Sequence, residues 1–161
     1  LVASSCQPLT LQYLTTAQAE NTLGALYVEE TGPTLSFLVG LLSQPHYRAW
    51  SLVAEGLALG AIWYQCVEQH AELLDLRVSR GLRRSGYGST LLKQTLCLIG
   101  QDDVRTVDLE VRASNVSASS LYGKMGFELP GRRHNYYPLP TGEREDAILM
   151  SLTLQATEKL E

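Results

Sequence analysis

Hydrophobic and polar positions follow two different periods along the chain, and each period predicts its own kind of element. Segments of alternating or continuous apolar residues, bounded by glycine, proline or acidic residues, predict strands. From Thr106 to Arg112, valine and leucine side chains point one way, while Asp108, Glu110 and Arg112 point the other. By this criterion we predict seven strands, over residues 8–14, 47–54, 57–67, 70–78, 106–112, 127–137 and 147–154.

Apolar residues that recur every three or four positions predict four helices between these strands. The helices cover residues 17–30, 34–43, 86–99 and 116–125. Thr31-Gly32-Pro33 separates the first two, and Gly126 ends the last. The order is therefore strand, two helices, three strands, helix, strand, helix and two strands. This order predicts an α/β (α+β) fold, in which a mixed sheet carries helices on its faces.

Length and composition restrict the class of protein. The chain has 161 residues, 45% of them apolar and 19% charged, so we expect one globular domain over residues 1–161. No apolar run reaches the roughly 18 residues that a membrane span requires, and no basic stretch with an apolar segment precedes the first strand. We expect a cytoplasmic protein with no membrane partner, as a monomer or weak dimer.

Charge and cysteine spacing exclude further classes. The net charge of −4 argues against nucleic acid as a direct partner but is compatible with a basic peptide or a polyamine. Metal sites and disulfide frameworks need organised ligand spacing, which the cysteines and histidines lack. We therefore expect reduced, mostly buried thiols and no metal; the residues concerned are Cys6, Cys66, Cys97, His46, His70 and His134.

A glycine-rich turn, Arg83-Arg84-Ser85-Gly86-Tyr87-Gly88, lies between the fourth predicted strand and the third predicted helix. Its two glycines allow a ligand to approach the backbone, and the helix N-terminus offers unpaired N–H donors. Together with the two arginines, these features favour a pyrophosphate site. The alternative is a tight connection with a solvated basic face.

Two other phosphate-binding loops do not fit this turn. Gly81 and Gly86 have the spacing of an NTPase loop, but Tyr87-Gly88 occupy the places of its lysine and its serine or threonine. Gly86-x-Gly88 begins a dinucleotide fingerprint, but Leu91 stands where the third small residue belongs. Both interpretations fail.

The turn resembles the signature R/Q-x-x-G-x-G/A of the GNAT superfamily of N-acetyltransferases, which Arg83-x-x-Gly86-x-Gly88 matches. The C-terminal half resembles, more specifically, the RimI-type ribosomal-protein alanine N-acetyltransferases. That likeness spans roughly residues 50–152. It is carried by residues 109–115 (LEVRASN), 121–122 (LY), 126–127 (GF), 132–133 (RR), 135–138 (NYYP) and 144–147 (REDA).

The resemblance implies a GNAT fold of about seven strands and about four helices, in which splayed central strands hold acetyl-CoA. The strand end Leu76-Arg77-Val78 would bind the acetyl end and pantetheine, through backbone groups of Leu76 and Val78. Asn115 would contact the pantetheine, although an asparagine here is also a typical helix N-cap. The pyrophosphate would lie on Arg83, Arg84, Ser85, Gly86, Tyr87, Gly88 and Ser89.

The resemblance also implies direct acetyl transfer, with Glu110 as general base and Tyr122 as general acid. A peptide α-amine has a pKa of about 7.7–8.0, so a single carboxylate is an adequate base for it. A tyrosine, with a pKa of about 10, can protonate a departing thiolate. The structural alternatives are a solvated Glu110 paired with Arg112 and a core tyrosine at position 122.

The molecule that accepts the acetyl group is predicted with less detail than the acetyl-CoA site. The resemblance implies an N-terminal alanine of a small-subunit ribosomal protein, with Tyr136 and Tyr137 beside the peptide or, alternatively, as two interface aromatics. A further hypothesis is an acidic rim for a basic peptide, or simply a solvated face, formed by Glu29, Glu30, Glu143, Glu145 and Asp146.

Two departures from the family pattern keep other functions open. Ser79-Arg80 replace the usual Asp-Pro after the central strand, which we expect to alter a surface turn. The first 45 residues lack the usual P-W-S stretch of the substrate-side helices. A small-molecule amine acceptor and a non-catalytic CoA-binding module are therefore the alternatives.

Overall fold

The structure, a computed structural model, describes residues 8–28 and 31–155. Within them lie seven strands and four α-helices in the predicted order, which confirms the mixed α/β architecture. The strands are β1 (Thr10–Tyr13), β2 (Tyr47–Ala54), β3 (Leu57–Val67), β4 (His70–Val78), β5 (Thr106–Arg112), β6 (Glu128–Pro138) and β7 (Arg144–Thr153). The helices are α1 (Thr16–Thr22), α2 (Leu35–Leu41), α3 (Tyr87–Gln101) and α4 (Val116–Lys124).

Local sequence explains most of these boundaries. Thr15 and Thr34 cap α1 and α2, because each side chain accepts a hydrogen bond from a backbone N–H of the first turn. Glu55 and Gly56 both have positive φ, at 52° and 76°, which gives the tight β2–β3 hairpin that was predicted. Gly126, with φ of 94°, ends α4 in the left-handed conformation that favours glycine.

The strands pair in the order β1-β2-β3-β4-β5-β7-β6. The parallel pairing of β4 with β5 runs from His70↔Thr106 to Leu73↔Leu109 and ends there. By contrast, β5 stays paired with β7 as far as Arg112↔Ala147. The early end of the β4–β5 pairing agrees with the splayed central strands that the resemblance implies.

Two predicted segments differ from the structure by more than two residues. The helix predicted over residues 17–30 is wrong in extent: α1 ends at Thr22, and a 3-10 turn follows over Gly24–Tyr27. Gly24 has the low helix propensity that favours such a break, and Glu29 and Glu30 lie outside the described residues. The last strand begins at Arg144 rather than at residue 147. Residues Arg80–Leu82 form a single 3-10 turn next to Ser79. That the Ser79-Arg80 departure alters this turn stays a prediction.

The chain divides into two units, whose boundary along the sequence falls within β3, β4 and α3. The first unit runs to Trp63 and includes Asp75–Thr95. Its core holds Trp63, Leu52 of β2 and Leu38 of α2, together with Leu14, Leu23 and Leu26 from the segments that flank α1. The second includes Tyr64–Leu74 and the described residues from Leu96 onward. Its core contains the apolar face of β5, on which Val107, Leu109 and Val111 are buried as the alternation predicted. That residues 1–161 are one domain stays a prediction.

Among the helices of the described residues, none has both the length and the apolar character needed to cross a bilayer.

Candidate active site

The glycine-rich turn leads from β4 into α3 through two residues with positive φ. Arg84 has φ of 61° and Gly86 has φ of 88°, values that glycine adopts at little cost and arginine does not. The Gly86 carbonyl accepts the N–H of Thr90 at 3.0 Å, which starts α3. The first-turn amides of a helix have no partners within it, so those of Tyr87, Gly88 and Ser89 are suited to an anion.

The two arginines of this turn differ in what they contact. Arg83 donates from Nε to the carbonyl oxygen of Val78 at 3.1 Å, so its side chain folds back on the end of β4. Arg84 and Ser85 are exposed. A Cβ built on Gly86 would meet no other atom within 4 Å, so its positive φ, and not crowding, is what requires glycine.

The predicted strand end Leu76-Arg77-Val78 is half-buried at the end of β4. The Arg77 side chain turns to the loop before α2: Nη2 donates to the Thr31 carbonyl at 3.0 Å, and the guanidinium lies 4.2 Å from the centre of the Tyr27 ring. The backbone is tightly packed, since a Cβ on Gly60 would come within 2.8 Å of the Arg77 carbonyl oxygen. Because the Arg77 side chain is engaged elsewhere, any contact of Arg77 with the acetyl end or the pantetheine would come from its backbone.

Sequence reasoning missed a buried polar cluster around this arginine. Trp63 Nε1 donates to the Tyr27 hydroxyl at 2.8 Å, and that hydroxyl donates to Asp75 Oδ2 at 2.7 Å. Arg77 Nη2 lies 3.5 Å from Asp75 Oδ1. Burial raises the pKa of Tyr27, as does the neighbouring Asp75 charge, and burial also raises the pKa of Asp75. The signal was available: Asp75 and Arg77 are two charges in an otherwise apolar strand end.

Glu110 lies on the polar face of β5, where its carboxylate is half-buried. Arg133 Nε on β6 contacts Glu110 Oε1 at 2.8 Å. The expected alternative, a pair between Glu110 and Arg112, is wrong, because Arg112 Nη1 contacts Glu145 Oε1 at 2.9 Å. A residue on β6 therefore holds the predicted base, and no local spacing could have identified it.

The predicted residues of α4 occupy its first turn and its buried face. Asn115 is the N-cap, and its Oδ1 accepts the N–H of Ala118 at 3.1 Å, which confirms the capping role. Tyr122 is buried, with 8% of its surface exposed, and its ring packs edge-on against Phe127 with centroids 5.6 Å apart. The contact fits the predicted core tyrosine; a role in acid catalysis stays a prediction.

Tyr136 and Tyr137 pack edge-on against each other, with centroids 5.0 Å apart, and each is covered by an arginine. The guanidinium of Arg133 lies 5.2 Å from the Tyr136 ring centre, and that of Arg112 lies 4.4 Å from the Tyr137 ring centre. Burial, followed by the nearby Glu110 charge, raises the pKa of Tyr137. The Glu110 charge therefore acts on Tyr137, and a role for Tyr136 and Tyr137 beside the peptide stays a prediction.

Two carboxylates of the predicted acidic rim are committed to internal partners. Glu145 accepts from Arg112, and its Oε2 accepts the Ser114 N–H at 3.0 Å; both contacts lower the pKa of Glu145. Asp146 Oδ1 accepts the Asn135 N–H at 3.0 Å, and the pKa of Asp146 is lowered chiefly by that bond. Neither carboxylate is available as part of an open acidic rim.

Asp146 also holds the bulge that presents the tyrosines. The β6–β7 register shifts between Arg133 and Tyr137, and Asn135 in this segment has φ of 51°. Asp146 Oδ2 contacts both Arg132 Nη1 and His134 Nδ1 at 3.2 Å. Within residues 8–28 and 31–155, no group of three or more His, Cys, Asp or Glu side chains could hold a metal ion. Of the described cysteines, Cys66 is half-buried and Cys97 is exposed, so the expectation of mostly buried thiols is wrong.

Comparison with known proteins places this fold and turn in a family. The acetyltransferase (GNAT) family matches residues 13–127. The chain belongs to this family, and it is an acetyl-CoA-dependent N-acetyltransferase.

The particular relatives are acetyltransferases of one kind. The chain is 37% identical to the ribosomal protein bS18 alanine N-acetyltransferase of Escherichia coli strain K12 over 108 residues, which is 67% of this chain and 72% of that protein. It is 32% identical to the putative enzyme of the same name from Bacillus subtilis strain 168, over 74% of this chain and 77% of that one.

Solved structures agree with the fold. The crystal structure of the ribosomal-protein-S18-alanine N-acetyltransferase from Escherichia coli has a TM-score of 0.82 and 29% identity, covering 96% of this chain and 99% of that chain. Arabidopsis thaliana NAA60 in complex with acetyl-CoA has a TM-score of 0.76 over 91% of this chain and 99% of that chain. At 18% identity, the second likeness shows the fold alone.

Proposed function

We propose that this enzyme transfers the acetyl group of acetyl-CoA to the α-amine of an N-terminal alanine on a small-subunit ribosomal protein. The observation that carries the proposal is the half-buried carboxylate of Glu110, set among Arg133 and Tyr137 on one polar sheet face. It lies within the sequence LEVRASN, in a chain whose relatives bear the name of this activity.

The residues of the glycine-rich turn fit the pyrophosphate of acetyl-CoA. Gly86 opens α3 with space around it, and the first-turn amides of that helix are suited to bind an anion. Exposed Arg84 adds one positive charge near this site. Arg83 adds a second, from a side chain that is hydrogen-bonded to the carbonyl oxygen of Val78. Backbone groups of Leu76 and Val78 are the proposed contacts for the acetyl end. The side-chain oxygen of Asn115 caps α4, so the NH2 group of the same side chain is the donor left for pantetheine.

The chemistry is a direct transfer in which one proton moves from nitrogen to sulfur. The neutral amine attacks the thioester carbonyl carbon, a C–N bond forms, and the C–S bond breaks. Glu110 accepts the proton that leaves the nitrogen, directly or through a water molecule, and Tyr122 donates a proton to the departing thiolate. Afterwards Glu110 releases its proton to solvent and Tyr122 takes one up, which restores both groups. The products are an N-acetylated peptide and CoA.

Replacing the two proposed catalytic groups tests these roles. We expect Glu110→Gln and Tyr122→Phe each to lower kcat by at least about 10²-fold while CoA binding stays unchanged, since general acid–base catalysis typically contributes that much. The measurements are thiol release with an alanine-starting peptide and calorimetric binding of CoA. Asp108→Asn is the matched control, because Asp108 lies on the same face of β5 and bonds Ser151. Full turnover in both catalytic variants would remove the role assignments.

Two glycines offer a matched test of the cosubstrate site. Gly86 and Gly142 have φ of 88° and 87°, and a Cβ on either meets no atom within 4 Å. Alanine should therefore strain both turns to a similar degree, about 1–2 kcal/mol. We expect Gly86→Ala to raise KM for acetyl-CoA about tenfold, equivalent to 1.4 kcal/mol, and Gly142→Ala to leave it unchanged. Equal KM effects in the two variants would contradict the proposed pyrophosphate site.

The acceptor is tested with a panel of amines. Peptides that begin with alanine are compared with peptides blocked at the N-terminus, with polyamines and with free small amines. We expect the highest kcat/KM for the alanine-starting peptide of a small-subunit ribosomal protein. A preference for free amines would assign the enzyme to a small-molecule acceptor instead.

A further inference from the structure

Arg133 forms an ion pair with the carboxylate that we propose as general base. Its Nε lies 2.8 Å from Glu110 Oε1, and 54% of the Arg133 side chain is exposed, compared with 22% for Glu110. Register explains the contact: Glu110 pairs with Leu149, and Arg133 pairs with Ala147, two positions along the same strand. Both side chains therefore project from one face of the sheet, on either side of β7.

The other two charged groups of β5 on this face, Arg112 and Asp108, have partners of their own. Arg112 on β5 pairs with Glu145 on β7. Asp108 accepts from Ser151 Oγ at 2.5 Å and lies 3.5 Å from His70 Nε2. Tyr136 and Tyr137 on β6 are uncharged aromatic neighbours of the two arginines. Arg133 is therefore the cation whose charge acts on Glu110 at contact distance.

This pair changes what an incoming amine meets. An isolated carboxylate attracts an ammonium ion and stabilises it, but an ammonium ion has no lone pair and cannot attack a thioester. A carboxylate neutralised by a guanidinium attracts the cation less, and the nearby positive charge disfavours the protonated amine. The bound amine then loses its proton at lower pH than it would beside Glu110 alone.

We propose that Arg133 is a positioning residue of the acetyl transfer: it holds the Glu110 carboxylate and, by its charge, favours the neutral form of the bound α-amine. The proposal rests on the proposed function, because it takes Glu110 to be the group that faces the amine. It also gives a role to an exposed arginine outside the glycine-rich turn, stacked on Tyr136 at 5.2 Å.

The neighbouring arginine provides a matched control. Arg132 is also on β6 and carries the same charge, and its side chain is 51% exposed, but it pairs with Asp146 Oδ2 at 3.2 Å. Its register partner is Ile148, whose side chain lies on the opposite, buried face of the sheet. Arg132→Gln and Arg133→Gln therefore change the net charge equally, while only the second removes the cation on Glu110.

The experiment is the pH profile of kcat and of KM for an alanine-starting peptide at saturating acetyl-CoA, because kcat reports the protonation states of the bound complex. For Arg133→Gln we expect the acid limb of kcat to move up by about one pH unit, with kcat at pH 7 falling about tenfold. KM for the peptide should fall, because unpaired Glu110 binds the unreactive ammonium form. Arg133→Lys, which keeps the charge, should restore the acid limb, and Arg132→Gln should leave it unchanged.

Several outcomes separate this proposal from the proposed function. An unmoved acid limb in Arg133→Gln, or an equal shift in Arg132→Gln, overturns the role of Arg133 even if Glu110→Gln is inactive. A fully active Glu110→Gln instead overturns the general base. Arg132→Gln and Arg133→Gln should have the same thermal unfolding midpoint. If Arg133→Gln alone fails to fold, the pH profile of Arg133→Lys tests the proposal, and an acid limb of kcat that is shifted in this variant overturns it.

Discussion

The polar cluster around Asp75 and the charged face around Glu110 handle ionised side chains in two different ways. In the first, Asp75 and Arg77 have side chains only 11% and 10% exposed, and their partners are Tyr27 and a loop carbonyl. On the second, each recessed carboxylate is covered by a more exposed arginine. The Glu145 side chain is 12% exposed and its partner Arg112 is 33% exposed. The Glu110 side chain is 22% exposed and its partner Arg133 is 54% exposed.

The difference teaches which group of charges serves stability and which is suited to chemistry. A buried polar cluster must satisfy its members internally, because each unpaired atom keeps its full desolvation cost. An exposed arginine over a recessed carboxylate costs little to move, because water replaces the contact. The Asp75 cluster is therefore a fixed support for the loop before α2, whereas the arginines of the charged face stay partly exposed to solvent.

The largest stability effect should come from opening the buried cluster. Tyr27→Phe leaves Asp75 Oδ2 and Trp63 Nε1 without the hydroxyl that joins them, so we expect unfolding free energy to fall by about 2 kcal/mol. Arg112→Gln on the charged face should cost less than about 1 kcal/mol, because that pair is partly solvated. Urea unfolding of both variants measures the two changes. Equal losses of unfolding free energy in the two variants would contradict the difference between the two regions.

A smaller effect should appear when the charged face is acidified. The Asn135 N–H, Arg132 and His134 hold the pKa of Asp146 below its usual value, so its stabilising contribution is present above that value and is lost as pH falls through the lowered one. We therefore expect Asp146→Asn to lower the unfolding midpoint at pH 7, and the difference from wild type to shrink below about pH 4. Thermal unfolding between pH 7 and pH 2.5 measures it. Glu143→Gln, an exposed carboxylate of the same hairpin, is the control, and a difference independent of pH would contradict the assignment.

Much of the architecture follows from local sequence. The bounds of β2 to β5 coincide with the predicted ones, because period-two alternation and the turn at Glu55-Gly56 are properties of neighbouring residues. The cap at Asn115 was predictable for the same reason. The first helix was predicted too long, because a favourable apolar period does not reveal where Gly24 and the bond from Tyr27 to Asp75 redirect the chain.

The sequence by itself determined the order of elements, the glycine turn before α3, and the identity of the chemical groups at positions 110, 122, 136 and 137. Only the tertiary structure decided their partners: Arg133 rather than Arg112 on Glu110, and Asp146 beneath the bulge of β6. The reason is the separation in sequence between the contacting residues. Turns, caps and alternation depend on residues a few positions apart, whereas these pairs join residues more than ten positions apart and form only when β7 sets their register.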